Sequence, residues 1–215
     1  MADFINTAEV IGDDRLTNSI IDRTVTEYCD DSVEVIGVSA FHKCDKLVTV
    51  NCPKVDIKHF GAKTFSGCTS LKNVHYDTTV YHGLGYPTDM FRSCSSLEEI
   101  ILYGNSGQTM FADCTALKKV DMLAGSVSGY SCFQGCNSLI MLILRKTDSI
   151  HTLGNVSFFD GTPIASGTGY IYVPRALVDT YKAATNWSTY ANQFRALEDY
   201  TVDGTTTGEL DETKI

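Results

Sequence analysis

A chain of 215 residues with 43% hydrophobic and 20% charged side chains can bury a full core, which excludes wholesale disorder. Its formal net charge of −9 disfavours nucleic acid and anionic membrane surfaces alike, since both are held by clustered Lys and Arg. The most apolar run, residues 139–144, is only six residues long, against the roughly 20 that a membrane-crossing helix needs, so no direct membrane insertion is expected.

At the N-terminus, the first twenty residues have no basic opening and no long apolar run, so they do not read as a signal peptide. Ile20-Ile21 and the segments 24–28 and 33–36 carry the β-branched alternation of strands. Residues 1–35 are therefore expected to form an N-terminal segment with an incomplete capping coil.

A pattern then repeats: Phe, with Cys, Leu and an aliphatic residue each three positions further on. Its first copy is Phe41, Cys44, Leu47 and Val50, and its second is Phe65, Cys68, Leu71 and Val74. The third is Phe91, Cys94, Leu97 and Ile100, and the fourth is Phe111, Cys114, Leu117 and Val120. The fifth is Phe133, Cys136, Leu139 and Leu142. A degraded sixth copy begins at Phe159, with Thr162 in the cysteine position, so the array is placed at residues 36–160. A spacing of three puts Phe, Cys and Leu on one side of a helical or 3₁₀ turn, and these residues are expected to anchor the repeat.

After each Leu the period changes to two, which predicts a strand. The inward strand positions run Val50 and Cys52, Val74 and Tyr76, Ile100 and Leu102, Val120 and Met122, Leu142 and Leu144. One coil cannot bury its own Phe and Leu. Stacked coils can, which predicts a right-handed repeat solenoid with a parallel sheet along one side.

The alternate strand residues should face outward in columns across the coils. The later coils place Ile101, Tyr103, Leu123, Met141 and Ile143 there, an apolar patch of the kind that marks an interface unless a terminal segment folds over it. A second candidate surface is the linker at residues 76–87, where Tyr76, Tyr81, His82 and Tyr86 stand near two glycines. Exposed tyrosines suit sugar or protein contacts. The alternative is a plain insertion between coils.

Cys44, Cys68, Cys94, Cys114 and Cys136 hold one repeat position, so they should stack about 5 Å apart and point the same way into the core. Five such residues cannot all pair, and buried reduced thiols are expected in place of disulfides or metal ligands. The five histidines are scattered, and no nucleophile, base or phosphate-loop constellation surrounds them. Neither catalysis, nor a metal, nor a cofactor is expected.

Beyond the array, Pro174 suits the first turn of a helix, and Leu177, Tyr181, Ala184, Trp187, Tyr190, Phe194 and Leu197 follow at helical spacing. Residues 161–197 are therefore read as a capping module, with 174–197 a helical cap whose aromatics seal the last coil, the alternative being a ligand cage of Tyr172, Trp187 and Tyr190. Residues 198–215, with six acids against one base, read as a flexible acidic tail.

The string Ile36-Gly37-Val38-Ser39-Ala40-Phe41-His42-Lys43-Cys44-Asp45-Lys46-Leu47 resembles the BspA-like leucine-rich repeat of bacterial and phage surface proteins. Gly161-Thr162-Pro163-Ile164, Tyr170-Ile171-Tyr172-Val173-Pro174 and Trp187-Ser188 resemble the module that often closes such arrays. The resemblance covers roughly residues 20–197. It implies a non-catalytic recognition or adhesion module that presents a repeat-built surface to a protein or glycan, at a cell surface or on a virion. The alternative is a structural virion or scaffold component that uses the solenoid for self-assembly.

Overall fold

The period-two stretch after each repeat leucine becomes a parallel strand, and the Phe-Cys-Leu stretch becomes the turn that stacks behind it. The computed structural model describes residues 10–11, 27–29, 35–56, 60–77, 87–127 and 129–215. At the N-terminal end, β1 (Val10–Ile11) pairs with β3 (Val35–Ile36), and β2 (Glu27–Cys29) pairs with β4 (Thr49–Asp56). β5 (Asn73–Asp77) completes a three-stranded sheet on β4. A five-stranded sheet follows from β6 (Glu99–Tyr103) through β7 (Lys119–Ala124), β8 (Met141–Leu144) and β9 (Tyr170–Val173) to β10 (Phe194–Ala196).

Two features differ from a single unbroken ladder. No strand pairing joins β5 to β6, so the sheet opens there. Behind that opening the coils stay bonded: the N–H groups of Lys63, Phe65 and Gly67 donate to the carbonyls of Thr88, Met90 and Arg92 at 2.8–3.0 Å. The turns are also not helical. Residues two before and two after each repeat Phe have positive φ, as with Ser39 and Lys43 around Phe41, Asp89 and Ser93 around Phe91, and Ser131 and Gly135 around Phe133. That left-handed conformation interrupts any helix.

The interior is a column of aromatic rings. Phe41, Phe65, Phe91, Phe111, Phe133 and Phe159 stack at successive centroid distances of 5.5, 5.4, 5.6, 5.6 and 5.8 Å. Phe159, from the degraded copy, thus takes the same place as its predecessors. The cysteines follow the same rule: Cys68, Cys94, Cys114 and Cys136 donate their thiols to the carbonyls of Phe41, Phe65, Phe91 and Phe111 at 2.9–3.2 Å. Cysteine is small enough for this crowded site and still satisfies a carbonyl of the coil before it. Cys68, Cys94, Cys114, Cys132 and Cys136 are not in disulfides, and Cys44 is buried with them. Burial raises the pKa of the first five, that of Cys132 to about 12.

The repeat leucines complete each anchor. Leu47, Leu71, Leu97, Leu117 and Leu139 are all buried in the same core as the rings. Each donates its N–H to the carbonyl of the repeat cysteine three residues before it, at 3.1–3.2 Å. That short-range bond is of the 3₁₀ type, consistent with the spacing of three, but it closes a single turn just after the second left-handed residue of each coil instead of a continuous helix.

The cap mixes helix and strand. Pro163–Ser166 forms α1, whose N-cap Thr162 accepts from the Ala165 N–H at 3.3 Å and donates to the Phe159 carbonyl at 2.7 Å. Val178–Ala183 forms α2, a 3₁₀ stretch covers Trp187–Gln193, and Phe194–Ala196 is the edge strand β10 where helical spacing had suggested helix. The alternative, a cage of Tyr172, Trp187 and Tyr190, does not assemble. Trp187 and Tyr190 pack on Phe159 inside the cap, whereas Tyr172 lies on the other side of the sheet against Tyr200. Trp187 Nε1 donates to the His151 carbonyl at 2.6 Å, and the Tyr181 hydroxyl accepts from the His151 N–H at 2.9 Å. The His151 ring is buried here, and that burial lowers its pKa to about 4, with the Lys146 charge acting the same way.

The acidic tail is not a free strand of chain. It returns across the outer face of the sheet, with Thr201 and Leu210 in an antiparallel bridge. Tyr200 and Leu210 pack on Met141, Ile143, Tyr172 and Leu197, a second apolar cluster separate from the solenoid interior.

Candidate interaction surface

The outer face of the five-stranded sheet is built by register. Across it, Ile101, Asp121, Ile143, Tyr172 and Arg195 lie opposite one another on successive strands. Glu99, Lys119, Met141 and Tyr170 make the adjacent row. Ile101 is 50% exposed, while Met141 and Ile143 are 8% and 0% exposed beneath the tail. The apolar patch expected from Ile101 through Ile143 is therefore divided, because the chain's own C-terminal segment covers the half nearer the cap. Tyr103 and Leu123 are half-buried, and a bulge after Leu102 sets Tyr103 opposite Ala124 instead of Leu123.

The uncovered half is a groove with an open cleft at either end. The first lies where the sheet opens between β5 and β6, a cleft of about 320 Å³ lined by Lys72, Asn73, His75, Glu99, Ile101 and Asp121, among others. Tyr76, from the linker candidates, is buried at this opening, and its hydroxyl donates to the Ile101 carbonyl at 2.6 Å across the unpaired strands. Tyr81, His82 and Tyr86 lie outside the described residues. The second end, of about 470 Å³, lies between the sheet and the tail, with Ile101, Leu123, Arg145, Glu209, Leu210 and Glu212 among its walls. Ile101, Lys119 and Asp121 line both ends, so Ile101 stands at the middle of the groove.

The charges on the part of the groove floor nearer the tail are mutually engaged. Lys119 Nζ lies 2.6 Å from Glu99. Arg145 grips Asp121 through Nε at 2.8 and 3.0 Å and through Nη2 at 2.9 Å, and both side chains are about nine-tenths buried. The same guanidinium directs Nη1 to the carbonyls of Thr206 and Gly208, at 2.8 and 3.2 Å. A planar fork of donors suits this double duty, and a lysine could not reproduce it. Arg145 is thus the bolt between sheet and tail.

The alternation of strand residues places Ile101 on this face, but it does not include the tail wall of Glu209, Leu210 and Glu212. A signal was present: Asp203-Gly204 is a turn dipeptide, and it lies between Thr201 and Leu210.

The family model of the BspA type leucine rich repeat region matches residues 9–140 and 88–168, in six copies. Among solved structures, a leucine-rich repeat protein of T. pallidum is similar at 23% identity, over 66% of this chain and 62% of its own, with a TM-score of 0.48. A leucine-rich cell surface protein of Faecalibacterium prausnitzii A2-165 is similar at 20% identity over 55% of this chain and 31% of its own, with a TM-score of 0.45. A leucine-rich repeat protein of Bacteroides ovatus ATCC 8483 gives 24%, 62%, 40% and 0.44 for the same quantities. This chain spans between 31% and 62% of the length of those three proteins. No curated protein sequence matches it. None of the described helices is long and apolar enough to cross a membrane.

Proposed function

Because this chain belongs to the family of BspA-type leucine-rich-repeat proteins, we propose that it is a recognition module whose groove on the outer sheet face takes a segment of a partner protein. The observation that carries this reading is Ile101. It is half-exposed at the centre of a groove, on a strand fixed by the solenoid behind it. An exposed apolar side chain on a rigid floor, ringed by polar groups, is the form of a contact anchor. Adhesion at a bacterial or phage surface is the setting the family implies.

A protein segment suits the groove better than a glycan. Sugars stack on open aromatic faces, and the outer-face tyrosines are occupied: Tyr172 packs against Tyr200, and the Arg195 guanidinium sits 4.2 Å over the Tyr170 ring. End-to-end self-assembly through the C-terminal end is disfavoured as well, because Tyr181, Trp187 and Phe194 seal that end of the core.

A displayed random-peptide library and a glycan array, probed with wild type and Ile101→Lys, test the proposal, with light scattering to record oligomeric state. We expect a monomer that selects peptides and loses them in Ile101→Lys, while circular dichroism stays unchanged. Glycan binding indifferent to Ile101→Lys, or a stable oligomer that selects nothing, would overturn it.

A further inference from the structure

We infer that the partner segment carries a lysine or arginine close to a large apolar residue, the cation lying against Glu209 and Glu212 and the apolar side chain on Ile101 and Leu123. This rests on the groove being the recognition surface and adds the chemistry of what it accepts.

The distribution of charge points this way. On the groove floor every cation near the tail is already engaged, Lys119 by Glu99 and Arg145 by Asp121 and two carbonyls. Glu209 and Glu212 are exposed on the tail wall and have no ion pair among the described residues. An incoming anion at that end would meet two uncompensated carboxylates. An incoming cation would be attracted by both, and its aliphatic stem would cover Leu123 and Leu210.

The wall is held in place. Arg145 fixes the carbonyls of Thr206 and Gly208, and Leu210, between the two glutamates, is packed on the Met141–Ile143–Tyr172 cluster. Asp211 caps the following turn by accepting from the Thr213 N–H at 3.1 Å. Both carboxylates therefore project from anchored backbone, so little ordering is required when a partner binds.

The opposite end of the groove has the reverse character. Lys72 lines the cleft beside β5 and has no ion pair among the described residues. The groove thus runs from Lys72, whose charge is shared with nearby Glu98, over Ile101, to the exposed carboxylates of Glu209 and Glu212. This polarity assigns the bound segment a direction, with its basic residue towards the tail.

Selection of a random-peptide library on the full chain tests the inference. Peptides enriched on wild type should carry Lys or Arg within a few residues of an aromatic or branched aliphatic side chain. Their affinity should fall about tenfold or more on Glu209→Lys with Glu212→Lys, and should weaken with added salt. Both glutamates are exposed, so the melting temperature of that variant should match wild type. Peptides that are lost on Ile101→Lys, yet show no basic preference and bind the double variant equally, would overturn the inference and leave the recognition reading standing. Failure of wild type to select any peptide would overturn both.

Discussion

Behind the sheet, every coil contributes the same phenylalanine to the same stack, from Phe41 to Phe159. On the outer face, the row Ile101, Asp121, Ile143, Tyr172 and Arg195 is in equally strict register, yet no residue type fills it from strand to strand. Geometry is shared by the two sides, and composition is not. An inner side chain meets its own copies above and below, so one shape must fit itself. An outer side chain meets solvent, the tail or a partner, and each coil is free to answer differently. Repetition in the sequence therefore reports packing, and departures from it are where recognition is written.

The comparison breaks most visibly at Phe91. It is fully buried with a ring on either side, so Phe91→Ala should cost about 3–5 kcal/mol and lower the urea midpoint sharply. An unchanged midpoint would mean that the ring column does not hold the coils together.

Next comes the seam between array and cap. His151 is favoured in its neutral form by the fold, with a pKa of about 4 against an ordinary 6.5. Its contribution is complete above pH 6.5 and is lost as the pH falls towards 4, by at most about 3 kcal/mol. Thermal melts across that interval should show the loss in wild type and a shallower dependence in His151→Phe. Parallel pH profiles would place the acid sensitivity elsewhere.

The smallest effects separate the covered and open halves of the outer face. Ile143→Lys should undock the tail at a cost of about 1–2 kcal/mol, seen as faster amide exchange over residues 205–211 with β7 still protected. Ile101→Lys should change stability by no more than about 0.5 kcal/mol. Equal costs at the two sites would erase the distinction between a face the chain covers and one it leaves open.

Much of the fold could be read from residue spacing, because the switch from period three to period two marks where a turn ends and a strand begins. Leu71, Leu97, Leu117 and Leu139 stand at that switch, and each is buried as the spacing requires. The row Ile101–Asp121–Ile143 followed from the same spacing. What could not be read depends on contacts without a periodic signature. The tail docks through Tyr200, Leu210 and two backbone carbonyls that bond Arg145, and carbonyls leave no trace in a sequence. Its Thr, Gly and acid content therefore read as solvated chain. In the cap, Trp187, Tyr190, Phe194 and Leu197 fit a helical spacing, but the chain extends after Gln193 so that Phe194 can pair with Ile171. Tertiary pairing overrode the local pattern there. The opening between β5 and β6 likewise depends on how strands meet in space.

The left-handed residues beside each phenylalanine also bear on how such an array changes over time. Their conformation is the same in each coil, but the occupants are Ser39, Lys43, Lys63, Gly67, Asp89, Ser93, Thr109, Asp113, Ser131 and Gly135. A side chain in that conformation costs roughly 1–2 kcal/mol, whereas glycine loses about 0.5–1 kcal/mol of backbone freedom on folding, so the two choices nearly offset. Two lines of left-handed positions consequently flank the ring column along the length of the array, where the fold dictates backbone shape and leaves the choice of residue to each coil's own neighbours.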